Sequence, residues 1–132
     1  MRTKPCLTSA DVLNMAAACK AEAQTNKWSV TIAITDDAGA LLYLERMDGA
    51  GPTTAEVAAA KARTSALTRR PSKFWEERLK DRPGFVNFPG VLHIQGGLPI
   101  MYEGECVGAI GVSGVASHED EQIAQAGLNS LA

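Results

Sequence analysis

The chain has 132 residues, the length of one domain and enough to bury an ordinary core without disulfides or a structural metal. Its formal net charge of -2 and pI near 5.7 come from interspersed signs, leaving no basic footprint for nucleic acid or an anionic membrane. No stretch approaches the roughly 18 apolar residues of a membrane span, and Asp11 arrives before any apolar run of signal length. The expected location is therefore the cytoplasm, unless an export signal has been removed.

Thr8 with Asp11 has the spacing of a capping box, and Val12, Ala16, Cys19 and Ala23 recur at helical period, which predicts a helix from about Ser9 to Thr25. Trp28, Val30, Ile32 and Ile34 then alternate with Ser29, Thr31, Ala33 and Thr35, the period of a strand with one more deeply buried face. Asp36-Asp37-Ala38-Gly39 turns the chain into a second strand, Ala40 to Met47. After Gly49-Ala50-Gly51-Pro52, a second box from Thr53 to Glu56 opens an Ala-rich helix ending near Thr68, small enough on nearly every side to approach a sheet or another subunit closely. Pro71 breaks it. Ser72 to Lys80 reads as a short helix carrying Phe74 and Trp75, and Arg82 to Pro89 as a loop.

The richest segment runs from Gly90 to Gly127. Gly96-Gly97 before Leu98-Pro99-Ile100 suggests a backbone pressed against something or turning where a side chain would clash, and Glu103-Gly104-Glu105 is a hairpin turn. Cys106 to Ser113 alternates glycine with Ala, Ile and Val, so one face of that strand is almost bare and open to a backbone, a helix or a flat ligand. Ser117 is placed to cap a last helix, with Glu119, Asp120 and Glu121 in its first turn, where carboxylates meet the positive end of the dipole. The order αββααββα, with antiparallel hairpins, gives an α/β fold with a sheet of four or five strands flanked by helices, in one domain over residues 1–132.

Several chemistries are excluded. Cys6, Cys19 and Cys106 fit no zinc spacing, and their odd number argues for buried thiols in a reducing compartment. Gly114 directly follows Ser113, so no nucleophile elbow forms, and no Gly-Lys-Ser/Thr follows Gly96-Gly97. Capping alone explains Glu119, Asp120 and Glu121, although one of them beside His118 could touch a divalent metal.

Val30 to Leu44 with its Asp36–Gly39 turn, Arg46-Met47-Asp48, Lys61-Ala62-Arg63-Thr64, Gly96-Gly97-Leu98-Pro99-Ile100, Gly108 to Gly114 and Asp120 to Ala124 follow one another along nearly the whole chain. In that order and spacing these motifs resemble the GlcG/HbpS-like family, which includes the carboxy-terminal domain of PduO-type corrinoid adenosyltransferases. The resemblance implies a profilin-like fold, a homo-oligomer built from dimers (tetramer to octamer) and, for some members, haem or a related flat cofactor. Members that bind haem use a histidine in or near the first helix; this chain has only His93 and His118, which weakens haem as its cofactor.

Candidate site residues follow. His93 has the chemistry of an acid, base or ligand, or of a structural hydrogen-bonding group, and the adjoining Gly96 and Gly97 offer backbone N–H groups to a carboxylate or oxyanion. Arg46 and Asp48 form a surface pair, or with Lys61 on the facing helix line a cleft for an acidic ligand. Phe85 and Phe88 either cover the mouth of that cleft or bury a loop. Two functions are expected from these residues. One is a small oligomeric binding protein holding an acidic or planar molecule at a subunit interface. The alternative is a small catabolic enzyme, a tautomerase, isomerase or ring-processing accessory, using His93 as acid/base and Arg46 with Lys61 to hold a substrate carboxylate.

Overall fold

The structure, a computed structural model, describes residues 1–131. Helix α1 spans Ser9–Thr25, with the Thr8 hydroxyl accepting from the Asp11 N–H and the Asp11 carboxylate from the Thr8 N–H. These hydrogen bonds hold the Asp11 carboxyl below the usual carboxylate range. Strands β1 (Thr31–Asp36) and β2 (Leu41–Arg46) form the first hairpin, followed by α2 (Thr54–Thr68), α3 (Ser72–Asp81) and a 3-10 turn over Pro83–Asn87. Strands β3 (Gly97–Tyr102) and β4 (Glu105–Ser113) form the second hairpin, and α4 (Ser117–Asn129) closes the chain. The four strands pair antiparallel in the order β2-β1-β4-β3.

Both faces of the sheet are covered. On one side α1 and α4 meet Ile32, Ile34, Leu98, Ile100, Val107, Ile110 and Val112 in the main core. On the other, Ala58, Ala62 and Ala66 of α2 lie on Ala33 and Ala109. Because α2 covers its second face, β1 buries Thr31, Ala33 and Thr35 as fully as its aliphatic face. The bare face of β4 takes a helix. A methyl group on Gly111 would overlap the Ala58 carbonyl oxygen and the Ala62 nitrogen and lie 2.9 Å from the Ala62 Cβ, so α2 sits against the strand almost backbone to backbone.

Local signals were less reliable at the helix starts. Thr53 makes no side-chain capping bond; the Thr54 hydroxyl instead bonds to the Gly51 carbonyl (2.6 Å) and to Thr31 (2.7 Å), tying α2 to β1. Ser117 is the first helical residue rather than the cap, and the Glu119 carboxylate accepts from the Ala116 N–H at 3.1 Å. The expected loop after α3 contains the 3-10 turn. Of the three thiols, Cys6 is exposed, whereas Cys19 and Cys106 are buried. Burial pushes the Cys19 thiol up to about 12.

Three outcomes follow. Gly111→Ala is expected to lower unfolding free energy by about 3 kcal/mol or more in urea titrations, because backbone and not a movable side chain blocks the new methyl. Gly104→Ala meets no atom within 4 Å, and its φ of +79° limits the loss to about 1 kcal/mol. With an aromatic disulfide reagent at neutral pH, the native protein is expected to release one equivalent of thiol, from Cys6, and the urea-unfolded protein all three; prompt release of more than one native equivalent contradicts the burial described.

Candidate functional site

Lys61 points from α2 into the sheet and is 2% exposed. Its ammonium donates to the Val112 carbonyl and to Oδ2 of Asp120, each at 2.9 Å, while Oδ1 of Asp120 accepts from the Val115 N–H at 3.1 Å. Burial raises the Asp120 carboxyl above the usual range, opposed by the hydrogen bond and charge of Lys61. The pair thus joins α2, the end of β4 and α4 at one point. This corrects two expectations: Lys61 is consumed internally and does not face a ligand, and Asp120 is the partner of a buried cation rather than a solvated dipole charge.

The double glycine serves the same junction. A Cβ on Gly96 would lie 2.7 Å from the Lys61 Nζ, and one on Gly97 would overlap the Lys61 carbonyl oxygen. Gly97 also donates its N–H to the Ser72 hydroxyl at 2.8 Å, so that donor is not free for an oxyanion. The positive φ falls on Gly96, at +134°, and not on Gly97. Both glycines are required by the close approach of α2.

The remaining sequence candidates lie apart. His93 is half-buried, with Nε2 sealed from solvent and without a hydrogen-bond partner. Arg46 and Asp48 border a shallow charged hollow with Lys20, Glu45 and Met47, and neither forms an ion pair among the described residues. Phe85 and Phe88 pack edge-on against Trp75 with centroids 5.4 and 4.9 Å away, yet the loop they belong to stays exposed apart from half-buried Phe85.

A groove of about 480 Å³ lies on the outer flank of α2, between the β1–β2 hairpin and the chain at Gly90–Leu92. Glu56, Ala59, Ala60 and Arg63 form one wall, Leu41 and Thr35 the hairpin side, and Val91 and Leu92 the far side. The Leu92 N–H bonds to the Thr64 hydroxyl at 2.7 Å, holding that far side against α2. Gly39 and Gly90 flank Arg63: methyl groups there would lie 3.0 Å from its Cγ and 3.9 Å from its Nη2. Arg63 is exposed and has no ion-pair partner among the described residues. Leu41 borders this groove, whereas Arg46 lies five residues along the same strand, about 17 Å away. Helical geometry held the missed signal: positions 61 and 63 are about 200° apart around the axis, so one cation faces the sheet and the other faces outward.

Fold and groove together define a small α/β protein of the profilin-like kind, with Arg63 and Glu56 bordering a largely apolar groove. The family model described as "Haem degrading protein HbpS-like" matches residues 7–129, and the chain belongs to that family. Protein GlcG of Escherichia coli K12 is 44% identical over 114 residues, 86% of this chain and 85% of that protein. A crystal structure of a double mutant of HbpS from Streptomyces reticuli is similar with a TM-score of 0.93 at 32% identity, covering 100% of this chain and 91% of the other. A structure named as a PduOC:heme complex shares the fold, with a TM-score of 0.87 at 24% identity over 96% of this chain and 95% of that one.

Asp120→Asn is expected to lower unfolding free energy by about 3–5 kcal/mol, because it leaves the Lys61 ammonium buried without a counter-charge. Arg46→Ala on the exposed strand end is expected to change it by less than about 0.5 kcal/mol. Urea titration of both variants checks the contrast, and equal effects contradict a buried pair at 61 and 120.

Proposed function

We propose that the chain is a small-molecule-binding protein that takes a flat, acidic compound in the groove along α2, with Arg63 as its anchor. The observation that carries this reading is a guanidinium at the rim of a largely apolar groove, unpaired even with Glu56, the one carboxylate among the lining residues. A guanidinium presents a planar fork of donors matched to a carboxylate, and Leu41, Val91 and Leu92 supply apolar surface for a ring system. Membership in a family described by haem degradation supports a flat ligand with carboxylate edges.

The residues fit the organic disc of such a ligand better than its iron. His93 has its Nε2 sealed inside the protein, and His118 stands on α4 in a polar hollow with Glu22, Glu121 and Gln122. Helix α1 contains no histidine. No imidazole borders the groove, so binding there rests on the carboxylate contact and the apolar walls. The same burial works against His93 as the acid/base of a small catabolic enzyme, since a proton-transfer group must come within about 3 Å of its substrate.

Parallel titrations with haemin and with iron-free protoporphyrin test this, followed by absorbance and by quenching of protein fluorescence. Both are expected to saturate with similar affinity, and Arg63→Ala to weaken each about tenfold, as for loss of a charged hydrogen bond. Absence of saturable binding, or an Arg63→Ala protein that binds like the parent, overturns the site. A haemin affinity far above that of the iron-free ring, with the spectrum of an imidazole-bound iron, overturns the metal-independent mode.

A further inference from the structure

The wall that α2 gives to the groove is a single stripe of the helix. Glu56, Ala59, Ala60 and Arg63 stand at i, i+3, i+4 and i+7, the spacing that repeats on one helical face. Seven residues bring Arg63 back to within about 20° of Glu56 around the axis and place it about 10 Å further along. The alanines between them contribute one methyl group each, so the stripe is a low apolar step with a carboxylate at one end and a guanidinium at the other. These two carry the only charges among the described residues that line the groove. Both are exposed, and neither is engaged in an ion pair among the described residues.

Glu56 also lies in the first turn of α2, where the helix dipole favours an acid. That accounts for an acid in the turn but not for its position, since of Thr54, Ala55, Glu56 and Val57 it alone lines the groove.

We propose that Glu56 is the specificity-determining residue of the groove, excluding a second carboxylate from the end opposite Arg63. The ligand class is thereby narrowed to flat compounds whose acidic groups lie along one edge and whose opposite edge is neutral. This rests on the binding reading given above and adds to it the direction in which the ligand lies. A carboxylate at the Arg63 end gains a charged hydrogen bond. A compound that is acidic at both ends and bridges the stripe sets its second carboxylate beside Glu56, where like charges repel. A neutral edge meets no such repulsion, because the exposed Glu56 carboxylate stays hydrated beside it. Turning a one-edged acid end for end is disfavoured twice, by repulsion at Glu56 and by loss of the contact with Arg63.

Two iron-free porphyrins with the same ring separate the cases. Protoporphyrin carries its carboxylates on one edge, whereas coproporphyrin carries one on every pyrrole and is acidic at both edges. In fluorescence titrations at low ionic strength, the parent is expected to bind protoporphyrin about tenfold more tightly than coproporphyrin, and added salt to shrink that ratio. Glu56→Gln is expected to reduce the ratio to about threefold or less, and Glu56→Lys to bring it to about one or below. Glu103→Gln on the β3–β4 turn removes the same charge outside the groove and is expected to keep the parent's ratio. A parent that binds both porphyrins equally, Glu56 variants that keep the parent's ratio, or a Glu103 variant that lowers it as much overturns the role of Glu56 and leaves Arg63 as the anchor. Porphyrin binding that is absent, or that Arg63→Ala does not weaken, overturns the groove reading and this inference with it. If the lysine variant does not fold, the glutamine variant and the salt dependence of the parent's ratio decide.

Discussion

The structure depends on how closely one helix lies on its sheet. Helix α2 approaches β3 and β4 to a distance at which Gly97 and Gly111 have no room for a methyl group. Such an approach brings little apolar area, because the facing residues are alanines, and dispersion between close-packed backbones substitutes for bulk. The Lys61–Asp120 pair stands at the end of that contact. Burying two charges is unfavourable unless they are paired and hydrogen-bonded, and here two of the three ammonium N–H groups meet a carbonyl and a carboxylate while the carboxylate also holds a backbone N–H. The pair is better understood as fixing where α2 and α4 meet than as a large net source of stability.

Most of the architecture was legible because its signals are periodic. The alternation in β1, the capping residues of α1 and the Glu103-Gly104 turn each specify backbone geometry over a few residues, and the structure contains all three. The antiparallel order follows from two hairpins. The Gly-rich strand also announced a close neighbour, and of the neighbours it admits, the helix proved to be the occupant.

The site was harder to read because the same residue types serve packing and binding. Lys61 and Arg63 are equally cationic in sequence, and only the position of the sheet relative to α2 decides which is buried. Gly96 and Gly97 carry the pattern of a ligand-binding turn, yet they make room for the lysine side chain and its backbone. His93 stood out as one of two imidazoles, but burial of Nε2 is set by the loop from Gly90 to Gln95, whose path has no periodic signature. Arg46 and Asp48 were grouped with Lys61 across a cleft that the sheet order does not create. The groove itself is assembled from three segments distant in sequence, which single-chain patterns do not connect.

The partners of the buried pair are 59 residues apart, which bears on the order in which the molecule folds. Until α4 has been synthesised and has packed, a docked α2 would hold its lysine in a desolvated site without a carboxylate, an arrangement unfavourable by several kcal/mol. During synthesis the first hairpin and α1 can form early, whereas α2 must keep that ammonium hydrated and its alanine face unseated. Final docking of α2 is thereby deferred to the arrival of the carboxy-terminal helix. A chain truncated before Asp120 would lack the means to complete its second layer, however intact its sheet.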